Sequence, residues 1–191
     1  MVNDLKDLSI ADFFERSFIF WLSRDPETIS ILGISDQLGI RNNNLTNISE
    51  SYILDTEKLE SAILNILQTY NRDELSLDNQ LNYDIYEWFW QDRVAGHAYR
   101  LYNLPVQSYA TSSVPDRLID LFVNYHSIES IKDIEDYISR INQIDEKIAQ
   151  LIQELELREL KEIRPPRAVL IKTINRYQGY LHRFGQNQYK I

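Results

Sequence analysis

Cysteine is absent from this chain, which excludes disulfide staples and thiolate metal sites and leaves stability to a packed core. Glycine and proline number only five each, and no segment approaches the roughly 18 uninterrupted apolar residues that a membrane span requires, so neither a fibrous nor a membrane-spanning protein is indicated. The N-terminal Met-Val-Asn-Asp-Leu-Lys-Asp lacks a cationic region followed by an apolar core, so no secretory signal is visible and a cytoplasmic setting is expected. The motifs of common chemistries are missing too. There is no Walker loop, no Gly-x-Gly-x-x-Gly, no Gly-x-Ser-x-Gly elbow and no His-Glu-x-x-His.

What is present is a globular composition: 191 residues, 43% hydrophobic and 12% aromatic, enough for one well-cored domain over 1–191. The net charge of −9 is unevenly spread. From Ile163 onward there are six basic residues (Arg164, Arg167, Lys172, Arg176, Arg183, Lys190) and no acidic one, so the body is more acidic than the whole. Such a segment could contact nucleic acid, but an acidic body would repel phosphate beyond its short reach. The expectation is that the basic segment lies against the acidic body, with no nucleic-acid and no membrane partner.

Apolar spacing is helical throughout. Ile10, Phe13, Phe14, Ser17, Phe18 and Trp21 trace a first helix. Asp25-Pro26-Glu27 then supplies a cap, a first-turn proline and a dipole partner for a short second helix ending near Gly33. The Asn-rich 34–49 stretch reads as a loop. Leu59, Ile63, Ile66 and Leu67 mark a third helix, and Ser76 begins a fourth whose main face is set by Leu81, Ile85, Trp88 and Phe89. Ser113 caps a helix with Leu118, Leu121 and Phe122, and Leu170, Ile174 and Leu181 mark a last one. The most regular pattern runs from a Ser130/Asp133 capping box to Pro165, with Ile134, Ile138, Ile141, Ile148, Leu151 and Leu155 on one stripe. It predicts one long amphipathic helix over about 133–161. The fold class is therefore all-α, an irregular bundle of about six or seven helices, in which Trp88, Phe89, Leu121, Phe122, Ile141 and Ile148 are expected to be buried. The polar 184–191 end reads as a flexible tail.

No reactive constellation accompanies these helices. His97, His126 and His182 are far apart in sequence, and the Glu-x-x-His of di-iron helices does not occur. The carboxylate pairs Asp84/Glu87 and Asp133/Asp136 share helix faces and read as solvated or first-turn acids. The aromatic cluster Tyr83, Tyr86, Trp88, Phe89, Trp90, Tyr99, Tyr102 and Tyr109 could form a stacking platform for a ligand, but its helical spacing reads as core. Catalytic, cofactor-binding and metal-ligating residues are all expected to be none.

Several segments occur in an order that resembles the N-terminal part of the bacterial family called domain of unknown function 885. They are Asp25-Pro26-Glu27-Thr28 with Leu32-Gly33, the Leu81-to-Asp84 Leu-x-Tyr-Asp core, Leu104-Pro105-Val106-Gln107, Asp136-Tyr137-Ile138-Ser139-Arg140, and Ile163-Arg164-Pro165-Pro166. The resemblance implies an all-helical, metallopeptidase-like hydrolase whose zinc motif lies in a later region, so zinc is expected there and not in this chain. It also implies Gln107 and Tyr109 as cleft-lining residues and a peptide-like substrate only in the full-length context. The implied partner is the catalytic half or a second copy. The chain alone would then be a non-catalytic scaffold and cleft wall; the alternative is a free-standing interaction module with an acidic body and a basic final helix. Where the family often has Gly before its Ile-x-Pro-Pro, this chain has Glu162.

Overall fold

The computed structural model describes residues 2–107 and 113–185. All regular structure among them is helical, and no described helix is long and apolar enough to cross a membrane. Helix α1 (Ile10–Leu22) starts where the Ser9 side chain accepts the Asp12 N–H. Helix α2 (Pro26–Leu32) has Asp25 as its cap and Pro26 in its first turn, and ends at Gly33 with φ +67°, a conformation that costs glycine little. The 34–49 segment contains no helix, and Ser49 caps α3 (Glu50–Leu67). Ser76 caps α4 (Leu77–Gly96), which runs on into a 3₁₀ helix, His97–Tyr102. Ser113 caps α5 (Val114–Asp120), which passes into a π-helical turn, Leu121–Tyr125.

The helix expected over 133–161 is in fact two. Helix α6 (Ile131–Ile141) opens on the Ser130/Asp133 capping box, and α7 (Ile144–Leu160) begins after a break at Asn142-Gln143. At the break the Gln143 N–H turns back to the Arg140 carbonyl, while its side-chain amide donates to the Ser139 and Asn43 carbonyls at 2.9 and 2.8 Å. Its amide oxygen accepts the Leu45 N–H at 2.9 Å. One side chain thus satisfies groups on both the helix and the 34–49 loop, which compensates the interrupted ladder. Helix α8 (Arg167–Gly185) follows Pro165-Pro166. From residue 186 on, the tail expected at 184–191 lies outside the described residues.

Two apolar clusters form. The larger joins Phe13, Leu59, Ile63, Leu67, Tyr83 and Trp90 from α1, α3 and α4 with Leu5 of an N-terminal 3₁₀ turn, Val2–Leu5. The smaller joins Leu45, Leu118 and Leu121, with Phe122, Ile144 and Ile148 packed on it. Leu121 is fully buried, and Phe89, Phe122 and Ile148 are half-buried. Trp88 and Ile141, expected inside, are 68% and 44% exposed, and Tyr99 and Tyr102, read as core, are 69% and 67% exposed. For Trp88 and Ile141 the reason is a reversal of faces. Helix α4 turns its larger aromatic area, Tyr83, Tyr86, Phe89 and Trp90, inward, and Leu77, Leu81, Ile85 and Trp88 face outward. Helix α6 buries Asp136 and Arg140 and exposes Ile134, Ile138 and Ile141, because the 41–46 segment opposite offers it carbonyls and a cation in place of apolar surface.

Candidate functional site

Four of the resembling segments fall into two groups by position; the fifth, Leu81 to Asp84, lies on α4, with Tyr83 in the larger apolar cluster and Asp84 paired with Arg72. The first group forms a polar hub where α2, α6 and α7 grip the 41–48 segment. Buried Glu27 pairs with buried Lys147 and accepts the Thr46 N–H at 3.0 Å. Asp136 binds Arg41, and the Ser139 hydroxyl donates to the Asn43 carbonyl at 2.9 Å. Arg140, fully buried, donates to the Asn44 carbonyl (3.0 Å), the Ser30 hydroxyl (2.6 Å) and His126 Nδ1 (2.9 Å). Burial pushes the Arg140 guanidinium down to about 10, partly offset by the charges of Glu27 and Asp136. Burial also lowers Lys147, against the opposing pull of Glu27. These acids and bases are spent on one another and on backbone, which is how buried charge is tolerated.

The second group meets at an apolar groove of about 760 Å³. One wall is the 101–106 segment, with Leu104, Pro105 and Val106; the other is Ile163 to Pro166 continued by Leu170 and Ile174 of α8. Arg158, nearly inaccessible, stitches the walls together: it pairs with Glu154 at 2.7 Å, donates to the Leu101 carbonyl at 2.9 Å and contacts Asn103. The far wall is set by the end of α7. Ile163 N–H bonds the Arg158 carbonyl and Glu162 N–H the Glu159 carbonyl, the double closure of a Schellman motif with Glu162 at φ +60°. The glycine that the family often carries at this place would take that φ without strain. Pro165 and Pro166 present no N–H, so that wall offers apolar surface without backbone donors. Gln107 is buried directly beyond Val106, and Tyr109 lies outside the described residues.

His126, Asp84 and Asp133 are held in local contacts. His126 is wedged between Arg140 and the Asp133 carbonyl, which accepts from Nε2 at 3.0 Å, and its ring meets Tyr137 edge-on. Asp84 takes both Nε and Nη2 of Arg72 at 2.6 and 2.7 Å, and those bonds hold its carboxyl below the usual range. The Ser130 hydroxyl and nearby backbone amides do the same for Asp133. Basic α8 is tied to the acidic body through Arg176 and Asp116 at 2.5 Å. No group of three or more metal-ligating side chains occurs among the described residues.

Sequence reasoning missed a third feature, a charged cleft of about 680 Å³ between the ends of α1, α3 and α4. On its floor Glu60, 3% exposed, accepts Trp21 Nε1 at 2.8 Å, Arg93 Nε and Nη2 at 2.8 and 2.6 Å, and sits 2.6 Å from His97 Nε2. The readable signal was an acid embedded in the buried Leu59, Ile63, Leu67 row.

Against known families, residues 26–190 match the one described as bacterial protein of unknown function (DUF885). No curated protein and no solved structure matches the chain.

Proposed function

The chain belongs to DUF885, the bacterial family of unknown function, and on that premise we propose that it is the non-catalytic helical scaffold and cleft wall of a metallopeptidase-like hydrolase. The observation that carries this reading is the placement of the resembling segments: Asp25-Pro26-Glu27-Thr28 and Asp136 to Arg140 are consumed in the polar hub, and Leu104-Pro105-Val106 and Ile163-Arg164-Pro165-Pro166 converge on one open apolar groove. A hub of mutually satisfied charges fixes geometry and has no free acid or base to offer. An apolar groove of this volume suits an extended, apolar peptide segment, with zinc chemistry supplied by another region. The rival reading, recognition through an acidic body and a basic helix, loses support because Arg176 and Arg164 are directed at Asp116 and Glu159 of the same chain.

Fluorescence anisotropy with labelled unstructured peptides tests the groove. Binding that favours apolar sequences and falls at least severalfold in Ile174→Asp supports the proposal. Binding unaltered by that change, or chelator-sensitive peptidase activity in the chain alone, overturns it.

A further inference from the structure

The charged cleft is independent of the groove, and one of its cations is left over. Four acids and three arginines line it. Glu60 is matched by Arg93 and His97, and Arg100 lies 3.1 Å from Glu50 and 3.9 Å from Glu57. Asp25, although adjacent in sequence to Arg24, is turned away to cap α2, where its carboxylate accepts the Thr28 N–H and hydroxyl and the Thr46 hydroxyl. Arg24 makes no ion pair among the described residues; the nearby acid that feels its charge, Asp55, is itself bonded to Lys58. Its Nε donates to the Thr56 hydroxyl at 2.6 Å, its Nη2 to the Tyr52 carbonyl at 2.9 Å, and its guanidinium lies over the Tyr52 ring at 3.8 Å.

That arrangement is a rigid fork. The Nε and one Nη2 hydrogen are used on neutral acceptors and the ring face fixes the plane, so the second Nη2 hydrogen and the Nη1 hydrogens remain as donors at the cleft lining. A planar carboxylate takes paired donors of this kind. The lining also sets the ligand's charge. Four acids against three arginines leave the lining no cationic surplus, so a dianion such as phosphate meets more repulsion than a monoanion, whose single charge contacts Arg24. Ile48 and Ile53 give the same cleft an apolar side for the rest of the molecule.

We propose that this cleft binds a small monocarboxylate with an apolar body, its carboxylate on Arg24 and its body against Ile48 and Ile53.

The probe is phenylacetate, compared with the isosteric neutral phenylacetamide and with inorganic phosphate, titrated into the whole chain at low salt while amide chemical shifts are followed. Phenylacetate should give saturable shifts centred on Tyr52 and Thr56, with phenylacetamide about tenfold weaker or more, the loss expected of a charge-assisted hydrogen bond. Arg24→Gln should weaken phenylacetate by a similar factor with its circular dichroism unchanged. If that variant fails to fold, the wild-type comparison of acid with amide still decides. Equal binding of acid and amide, shifts remote from Arg24, a folded Arg24→Gln that binds normally, or phosphate binding more tightly than phenylacetate would each overturn the assignment.

Discussion

Glu162 occupies a left-handed backbone position that an L side chain takes at a cost, at the point where α7 hands the chain to the groove wall. Glu162→Gly should therefore raise stability by about 1 kcal/mol, measured by urea unfolding, since the Schellman closure is retained and the strain removed. Charges in the hub behave oppositely. Lys147→Met leaves Glu27 buried without its partner and should cost about 3–5 kcal/mol, and adding Glu27→Gln should recover much of this. Asp25 supplies a pH dependence. Burial alone would raise its carboxyl, but hydrogen bonds from Thr28 and Thr46 outweigh this and hold it below 3.8. Its stabilising contribution is thus fully present above 3.8 and is lost as pH falls through the lower folded value. Melting temperature against pH should decline less steeply over that acid range in Asp25→Asn, from a lower plateau.

Among the elements, the junction of α6 and α7 depends on Gln143 more than on any apolar contact it makes. Gln143→Ala should cost about 1–3 kcal/mol by leaving the Leu45 N–H without a partner, the Asn43 carbonyl keeping the Ser139 hydroxyl, and should accelerate hydrogen exchange at Leu45. This junction also marks where sequence reasoning ran out. The caps at Asp25, Ser76, Ser113 and Ser130, and the α1 and α3 core rows, were readable because they follow from spacing and local hydrogen bonding. The break at Asn142-Gln143 was not, because neither residue stops a helix and the deciding partners, Asn43 and Leu45, lie about a hundred positions away. The faces of α4 and α6 were misjudged for a related reason. A helix with apolar residues on one side and aromatics or satisfiable charges on another has two burial solutions, and only its neighbour selects between them. In the candidate site, the two groove walls were legible as separate motifs, whereas the Arg24 cleft needs three helices brought together before it exists.

At the scale of the molecule, the outward row Leu77, Leu81, Ile85 and Trp88 crosses most of α4 and is long enough to seat a partner helix. We expect concentration-dependent association, read by light scattering, that Leu81→Asp suppresses without loss of helicity; a wild-type chain that stays monomeric at high concentration would remove this expectation. The two apolar clusters have a different outcome, because they do not merge into one. Helices α6 and α7 are held to the 41–48 segment chiefly by hydrogen bonds and ion pairs, which water and urea can replace group by group, while α1, α3 and α4 share a dry interior. Cooperativity should divide along that seam. The α6–α7 arm should open first, as a unit, exchanging its amides at free energies below those of global unfolding, so the protein would carry within its native state a small population in which the arm has swung away and the larger cluster still stands.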